Sequence, residues 1–495
     1  MKSTTLRQFD LLINGKMAKT KKYFDAVNPS TGEVFAQVAD ASVDEMKTAI
    51  AAARKAFDEG PWKNFTFAER GSYLKKIAKL IRDHAKELAE LEVMDVGKTT
   101  KQVNFIDVPA AADAFDYYGN LGDVLKERVN PVNDPVKSLT RFEPYGVVGS
   151  ICSYNYPLIY AAWKVAPAII VGNTIIFKPS PIACASILRL AQLIADSDLP
   201  KGVINILTTT GNEAASQLVQ SEDVNMISFT GSTQTGRKIM QLAAVTTKKL
   251  TMELGGKSPA IVFSDCDKEA ALGGVLSGIF MNQGQMCTAV SRLFVEEAIY
   301  DAFIGKLVER TKSLKIGDAA DFTTEFGPMA SKEQRDLILR QIQQALKEGA
   351  KLACGGKVPQ GVPQGGSYIE PTILTDVTDK MIIVQEEVFG PVLCVMKFRS
   401  EDEVVRMANH SKYGLAASVW TKDKKRAERL SKELQCGTVW VNTYGGFYNE
   451  SSFGGYKQSG FGRESGVEGL LEYVQTKHVC IDQTPGGVPL AASWF

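Results

Sequence analysis

The segment YGVVGSICSYNYPLIYAAWKVAPAIIVGNTIIFKPS, residues 145–180, decides the fold class of this chain. It contains two short apolar runs, VVGSI at 147–151 and TIIFK at 174–178, which predict buried β-strands. Pro157 lies between them and favours the first turn of a helix, where its missing N–H is tolerated. A strand, a helix and a second strand in this order predict a βαβ unit, and hence a parallel sheet.

The same alternation continues beyond this segment. Apolar runs at 203–207 and 224–229 predict two more strands, with helical stretches between them. Ligands of such sheets bind where the carboxyl ends of the strands meet. We therefore expect Tyr154-Asn155, Lys178 and the segment 230–232 to face one common crevice.

The length of 495 residues exceeds what one ordinary core supports and predicts two or three domains. A second alternating region begins at residue 259 and predicts a second α/β domain. The predicted division is a first α/β domain at 1–123 and 144–255, a second at 256–440, and segments outside both at 124–143 and 473–495.

The N-terminal part carries clear local signals. Turn sequences occur at Asn14-Gly15 and at 28–32, and helical periodicity occurs at 43–58 and 67–95. These patterns predict hairpin-like turns followed by helices ahead of the parallel sheet.

Composition argues against several classes of function. The 57 Lys and Arg residues nearly balance the 56 Asp and Glu residues, so no charge excess favours nucleic acid or an anionic membrane. The N-terminus has no signal-peptide pattern, and the apolar region 161–171 is too short to span a bilayer, so we expect a cytoplasmic protein. The eight cysteines form no CxxC pair and the three histidines are isolated, so we expect no metal site.

Three motifs have the residue types of a catalytic site. FTGSTQTG at 229–236 follows a predicted strand and is suited to hold a diphosphate at a helix N-terminus. ELGGK at 253–257 places a carboxylate beside two glycines, as a mobile general base requires. GQMC at 284–287 places a cysteine after a glycine turn, where it can act as a nucleophile. Taken singly, each also fits an ordinary turn or a buried inert cysteine.

Together these motifs resemble the aldehyde dehydrogenase superfamily, in its NAD(P)-dependent, hydrolytic branch. The resemblance runs from about Asn14 to about His478 and follows the family's motif order. It rests on YNYP at 154–157, FKPS at 177–180, FTGSTQTG at 229–236, ELGGKSP at 253–259, GQMC at 284–287, EEVFGP at 386–391 and FGGYKQSGFGRE at 453–464.

The resemblance implies a function for each domain and a role for each matching residue. The first domain would be a Rossmann-like NAD(P)-binding domain, the second would be catalytic, and 124–143 and 473–495 would be β arms for oligomerisation. Cys287 would attack the aldehyde, Asn155 and the Cys287 N–H would hold the oxyanion, and Glu253 would activate water. Lys164 and Glu464 match positions implicated in proton relay.

The resemblance also implies a coenzyme site and a substrate tunnel. Lys178 and Glu387 match ribose ligands, Ser232 a diphosphate contact, and Phe389 a neighbour of the nicotinamide ribose. The full set implied for the coenzyme is Ile151, Tyr154, Lys178, Ser180, Pro181, Gly211, Gly231, Ser232, Leu254, Glu387 and Phe389. The set implied for the tunnel is Tyr156, Tyr160, Trp163, Phe447 and Phe453.

Two positions depart from the family pattern. Tyr154 stands where the family usually has Trp, which affects a coenzyme contact. Pro181 stands where many NAD-preferring members have Glu, so we expect use of NAD or NADP, and suspect use of both.

Other functions are weighed against this one. A hydrolase or transferase that uses Cys287 without a nicotinamide coenzyme would not need the FTGSTQTG motif, nor Lys178 together with Glu387. A catalytically silent binding protein on the same fold would be expected to lose Cys287, Glu253 or Asn155, and all three are present. A CoA-acylating dehydrogenase is closer, but Glu253 favours hydrolysis.

The sequence leaves the aldehyde open. An aromatic tunnel suits aromatic or medium aliphatic aldehydes, and it also suits a trimethylammonium group, as in betaine aldehyde dehydrogenases. Aromatic residues alternatively line any tunnel of this family, whatever the substrate. The arms imply a homodimer or homotetramer, and we favour the tetramer.

Overall fold

The computed structural model describes residues 6–122, 124–133 and 135–484. Its strands are β1 Arg7–Phe9, β2 Leu11–Ile13, β3 Lys16–Ala18, β4 Tyr23–Val27, β5 Val34–Ala39, β6 Arg128–Asn130, β7 Val136–Pro144, β8 Val147–Ile151, β9 Thr174–Lys178, β10 Ile204–Ile206, β11 Met226–Thr230, β12 Lys249–Glu253, β13 Pro259–Val262, β14 Arg292–Glu296, β15 Lys351–Cys354, β16 Thr372–Thr375, β17 Val392–Phe398, β18 Tyr413–Gly414, β19 Ala416–Trp420, β20 Thr438–Val441, β21 Tyr456–Lys457, β22 Gly460–Phe461 and β23 Val474–Asp482.

Helices alternate with these strands along most of the chain. They are α1 Val43–Asp58, α2 Phe67–Asp83, α3 Ala85–Val96, α4 Thr100–Gln102, α5 Val108–Asn120, α6 Pro157–Ile170, α7 Ala185–Ala195, α8 Asn212–Gln220, α9 Thr233–Ala243, α10 Lys268–Phe280, α11 Tyr300–Lys312, α12 Lys332–Lys347, α13 Ile382–Gln385, α14 Glu401–Asn409, α15 Lys424–Glu433 and α16 Gly466–Leu471.

The first large sheet has eight strands in the order β22-β12-β11-β8-β9-β10-β2-β3. The five from β12 to β10 pair in parallel, and the edge strands β22, β2 and β3 are antiparallel. The predicted α/β fold with a parallel sheet is therefore confirmed. Every residue of β8, β9 and β11 is buried, because helices cover both faces.

The second large sheet has seven strands in the order β15-β16-β17-β14-β13-β19-β20. All its pairings are parallel except that of the edge strand β15. It is built from residues 351–441 together with β13 and β14, close to the predicted range 256–440. Beyond it the chain returns to the first sheet, where β22 pairs with β12.

A third, separate sheet joins two distant segments of the chain. β7 pairs along its whole length with β23 and also with β6, all antiparallel. These strands lie within the predicted arms 124–143 and 473–495, except that β7 extends to Pro144. The end of the second arm, 485–495, lies outside the described residues.

The N-terminal predictions differ from the structure in one place. Asn14 and Gly15 have φ of 52° and 70°, and they form the tight turn between β2 and β3. The predicted helix at 67–95 is two helices, α2 and α3, which break at His84. In the described part of the chain, no helix is long and apolar enough to cross a membrane.

Candidate active site

Two cavities meet at Cys287, at the carboxyl ends of the strands of the first sheet. The crevice is a space of about 260 Å³ lined by Ser153, Tyr154, Asn155, Tyr160, Thr230, Gly231, Ser232, Glu253, Leu254, Gly255, Cys287, Gln334, Leu337, Glu387, Val388 and Phe389. The tunnel is a space of about 290 Å³ lined by Ile106, Ala110, Asp113, Tyr156, Ile159, Tyr160, Trp163, Met281, Met286, Cys287, Thr288, Tyr444, Gly445, Phe447, Tyr448, Asn449 and Phe453. Cys287 and Tyr160 line both.

Glycines let the backbone approach the cysteine closely. A side chain at Gly256 would place its Cβ 2.0 Å from the carbonyl oxygen of Cys287, and one at Gly284 would lie 2.4 Å from the backbone of Gly390. Gly284 also has φ of 72°, which favours glycine. Gly256 of ELGGK and Gly284 of GQMC are thus required by close backbone packing around the cysteine segment.

Asn155 lies immediately before α6, beside the cysteine segment. Its side-chain Nδ2 donates a hydrogen bond to the carbonyl of Gln285 at 2.9 Å. Pro157 begins α6 two residues later and fixes the point where the strand–helix connection ends. The Asn155 side chain is buried, so the segment before Cys287 holds its amide in one orientation.

The ionisable groups of the site are strongly affected by burial. Burial raises the pKa of the Cys287 thiol well above its usual value, and the charges of Glu387 and Glu253 raise it further. The pKa of Glu253 is also raised well above its usual value, first by burial and then by the charge of Glu464. Burial thus favours the neutral form of both groups.

Lys164 and Glu464 form a buried ion pair beneath the crevice. Burial is the largest single effect on Lys164 and lowers its pKa. The charges of Glu464, Cys152 and Glu253, together with the hydrogen bond to Glu464, outweigh burial, so the pKa is raised. The backbone of Glu464 is bridged to Phe453 by two hydrogen bonds, of 2.7 and 2.8 Å. The Lys164 charge lowers the pKa of Glu253, while that of Glu464 raises it, so the pair acts electrostatically on Glu253.

Glu387 lines the crevice from the loop before β17. Its carboxylate accepts a hydrogen bond of 2.9 Å from the N–H of Gly256. Burial raises its pKa to about 7. The nearby Phe389 has φ of 55° and is held by Gln334, whose Nε2 donates to the carbonyl of Phe389 at 3.1 Å.

Tyr154 also lines the crevice. Its ring makes an edge contact with the ring of Phe389, with centroids 5.8 Å apart. Its hydroxyl is buried and has no hydrogen-bond partner among the described residues. A buried hydroxyl without a partner is costly, which suits a group that completes its bonding with a ligand.

The FTGSTQTG segment follows β11 and opens α9. Ser232 is the N-cap and accepts a hydrogen bond from the N–H of Thr235 at 3.2 Å. Gly231 donates its N–H to the carbonyl of Glu253 at 3.0 Å, which ties this turn to β12. The N-terminus of α9 therefore faces the crevice and favours an anionic group.

Six of the residues implied for the coenzyme line the crevice: Tyr154, Gly231, Ser232, Leu254, Glu387 and Phe389. The other five do not: Ile151, Lys178, Ser180, Pro181 and Gly211. Ile151 and Lys178 are paired at the carboxyl ends of β8 and β9, and Lys178 Nζ donates to the carbonyl of Pro179 at 3.3 Å. The expected common crevice thus brings together Tyr154-Asn155 and 230–232, with Lys178 beside it.

The tunnel residues implied by the resemblance all line one cavity. Trp163, Phe447 and Phe453 form a triangle of rings, with centroids 5.7 to 6.5 Å apart. Tyr156, Tyr160 and Trp163 follow each other at helical spacing at the start of α6 and therefore share one face.

Several lining residues were missed. Tyr444 and Tyr448 line the tunnel, and the hydroxyls of Tyr444 and Thr288 lie 3.3 Å apart. The aromatic run NTYGGFY at 442–448 contains both tyrosines beside Phe447, and it could have indicated that they line the tunnel. Ile106 and Asp113 come from the distant α5 region, and no local signal pointed to them.

Comparison with known proteins assigns the family that this fold and site define. The profile of the aldehyde dehydrogenase family matches residues 16–479. The chain therefore belongs to the aldehyde dehydrogenase family, and it is an oxidoreductase that acts on aldehydes.

Individual relatives resemble it over nearly their whole length. It is 43% identical to betaine aldehyde dehydrogenase of Bacillus subtilis over 490 residues, covering 98% of this chain and 99% of that one. It superposes on the NAD+ complex of an aldehyde dehydrogenase from Bacillus cereus with a TM-score of 0.94, at 40% identity and with 97% of each chain covered. It also superposes on betaine aldehyde dehydrogenase of Staphylococcus aureus in complex with NAD+, with a TM-score of 0.94, at 38% identity, covering 97% of this chain and 96% of that one.

Proposed function

We propose that this enzyme oxidises its aldehyde to the carboxylic acid through a covalent thioester on Cys287. The position of Cys287 at the junction of the crevice and the tunnel supports this most. An aldehyde in the tunnel and a coenzyme in the crevice would both reach the sulfur, while neither would block the other. The decisive test is the location of the acyl group, which closes the Discussion.

The first half of the proposed reaction forms the thioester. Once the Cys287 thiol has released its proton to solvent, the thiolate adds to the aldehyde carbon, and the carbonyl electron pair moves onto the oxygen. The Asn155 amide and the Cys287 N–H donate hydrogen bonds to that oxyanion. A nicotinamide coenzyme held by the crevice residues would supply the hydride acceptor for this step, so that the acyl group would remain on the Cys287 sulfur.

The second half releases the product. Glu253 removes a proton from a water molecule, whose oxygen attacks the thioester carbon. The carbon–sulfur bond then breaks, the carboxylic acid leaves, and Cys287 is again a thiolate. The buried pair of Lys164 and Glu464 lies close enough to influence Glu253 and is suited to pass on its proton.

The crevice residues fit a nicotinamide dinucleotide. The helix N-terminus at Ser232 suits the diphosphate, and Glu387 in the crevice suits ribose hydroxyls, as does Lys178, which lies outside the crevice lining. The unpartnered hydroxyl of Tyr154 is available to the same ligand. Two solved relatives hold NAD+, and we propose NAD as a coenzyme of this enzyme, with NADP as a second.

For the substrate, we propose an aldehyde that carries a cationic ammonium group, of the betaine aldehyde type. Seven aromatic side chains line the tunnel, and among its described lining residues Asp113 alone carries a formal charge. A cation within about 6 Å of an aromatic centroid is attracted by the ring face. No lining Lys or Arg repels a cation or holds a carboxylate, which disfavours semialdehydes of diacids.

The ring of Tyr156 is the exception within this aromatic lining. The ammonium of the buried Lys98 lies 3.9 Å from its centroid. One face of this ring thus already holds a cation. We therefore place the substrate's ammonium group at the triangle of Trp163, Phe447 and Phe453.

Two alcohols of equal shape test this proposal. Choline and 3,3-dimethylbutan-1-ol differ in charge alone, and neither is an aldehyde, so carbonyl hydration does not enter. We expect the inhibition constant of choline to be at least about tenfold lower than that of 3,3-dimethylbutan-1-ol. Trp163→Leu should weaken inhibition by choline more than inhibition by the neutral alcohol. Equal inhibition by both would contradict the cationic substrate and leave aldehyde oxidation itself unaffected.

We also propose a homo-oligomer, a tetramer in preference to a dimer, in the cytoplasm. The sheet of β6, β7 and β23 stands apart from both large sheets, and it exposes Val129 by 64% and Ile481 by 44%. Such edges and apolar side chains favour pairing with a second copy. Light scattering should show a multiple of 53.9 kDa, and a monomer at micromolar concentration would contradict the proposal.

A further inference from the structure

The segment before Cys287 has an unusual backbone. Asn282, Gln283 and Gly284 follow each other in the left-handed region, with φ of 48°, 54° and 72°. Residues other than glycine rarely adopt this backbone conformation, and asparagine tolerates it better than glutamine. Such strain persists only where the surroundings hold it, and it is concentrated at functional sites.

Asn282 is the residue in this turn that makes the most hydrogen bonds. Its Nδ2 donates to the carbonyl of Asn155 at 3.0 Å and to the carbonyl of Gln285 at 3.2 Å. Its backbone N–H donates to Oε1 of Gln102 at 3.1 Å, and its carbonyl accepts from Nε2 of Gln285 at 3.2 Å. Its side chain is 1% exposed, so water does not compete for these bonds.

The carbonyl of Gln285 is therefore shared by two side-chain amides. It accepts from Asn155 Nδ2 at 2.9 Å and from Asn282 Nδ2 at 3.2 Å. Because a carbonyl only accepts, the NH₂ end of Asn155 must face it, with its oxygen turned away. One N–H of Asn155 is occupied in this way, and the second is left for a substrate oxygen.

We propose that Asn282 is a positioning residue for the oxyanion hole, which it holds by fixing Asn155 against the segment that leads to Cys287. The inference rests on the proposed role of Asn155. Asn282 fixes the main chain of Asn155 directly, and it fixes the carbonyl that orients the Asn155 amide. Asn282 lines neither the crevice nor the tunnel.

Two glycine substitutions form a matched pair. Asn282→Gly removes the amide and keeps the left-handed backbone without strain. Gln283→Gly does the same at the next residue, whose side chain makes no hydrogen bond to Asn155 or Gln285 in the described structure. We expect Asn282→Gly to lower kcat/KM at least about tenfold, and Gln283→Gly less than about threefold, with coenzyme affinity unchanged in both. Equal losses from the two variants would overturn the proposal.

A double-mutant cycle separates positioning from general damage. If Asn282 acts through Asn155, then Asn282→Gly should cost less than about threefold once Asn155→Ala is present. An undiminished loss in that background would overturn the inference. If Asn155→Ala alone has no effect, the oxyanion role itself fails, which is a different result.

Asn282→Asp is the alternative test if Asn282→Gly does not fold. The aspartic acid keeps the shape, and its protonated form donates one hydrogen bond, while its ionised form donates none. Its activity relative to the wild type should therefore fall as the pH rises. A ratio that does not change with pH would count against the role of the donated hydrogen bond.

Discussion

The side-chain nitrogen of Asn155 lies 2.9 Å from the carbonyl oxygen of Gln285, two residues before the cysteine at which the crevice and the tunnel meet. The bond joins the connection between β8 and α6 to the segment that leads to Cys287. It occupies one amide hydrogen of Asn155 and, in the proposed reaction, leaves the other for the carbonyl oxygen of the aldehyde.

Removal of this donor should slow the chemistry rather than binding. For Asn155→Ala we expect kcat to fall by roughly 10²–10³, the usual loss for one oxyanion donor. Coenzyme affinity should be unchanged. Steady-state kinetics with fluorescence titration of the coenzyme measures both, and a loss below about threefold would show that the oxyanion is held elsewhere.

Glu253→Gln should separate the two halves of the reaction. The amide cannot remove a proton from water, so the thioester should persist after one turnover. Stopped-flow absorbance of the reduced coenzyme should show a rapid burst of about one equivalent per site, followed by slow turnover. A vanished burst would mean that Glu253 also acts before the thioester forms.

The pH dependence follows from the raised pKa of Glu253. The base works only when ionised, so its activity is present above its pKa and is lost as the pH falls through it. Since burial and Glu464 raise that pKa, deacylation should decline well above the ordinary carboxyl value of about 4.3. The rate of single-turnover hydrolysis of the acyl enzyme should show this decline with falling pH. In Glu253→Gln the pH-dependent decline should be absent. A rate that stays flat down to about pH 5 would contradict the raised pKa.

Coenzyme choice should depend on Pro181. A glutamate there would bond the free ribose hydroxyls of NAD and repel the extra phosphate of NADP, which carries about −1.5 to −2 charges. Pro181 does neither, and Lys178 nearby attracts a phosphate. We expect kcat/KM for the two coenzymes to differ by about 10- to 100-fold, and Pro181→Glu to impair NADP use far more than NAD use. A wild-type preference beyond about a thousandfold would mean that another group guards the ribose.

The parallel sheet was predictable where its strands are continuous apolar runs between turns. The predicted bounds 147–151 and 174–178 match β8 and β9 at both ends, because a strand buried on both faces needs an uninterrupted apolar run. The strand predicted at 203–207 is shorter in the structure, where it spans Ile204–Ile206. The strand predicted at 224–229 is shifted in the structure to Met226–Thr230. The break at His84 was not predicted, since neither Gly nor Pro marks it.

Long-range features escaped prediction from local pattern. The edge strand β22 joins the first sheet from 460–461, and Lys164 pairs with Glu464 across 300 residues. The site residues were reached through resemblance to a family, while their local motifs alone also fitted ordinary turns. The glycine turn before Cys287 was predicted, but the bonds of Asn282 to Gln102 and Asn155 had no sequence signal, because these partners lie far away along the chain.

The central claim is that the acyl group forms on Cys287, and mass spectrometry of the trapped enzyme tests it most directly. Glu253→Gln mixed with aldehyde and coenzyme should gain one acyl mass, and peptide mapping should place it on Cys287 rather than on any of the other seven cysteines. Cys287→Ala should bind coenzyme, gain no acyl mass and form no reduced coenzyme. An acyl group on another residue, or Cys287→Ala turnover within about tenfold of the wild type, would contradict the account.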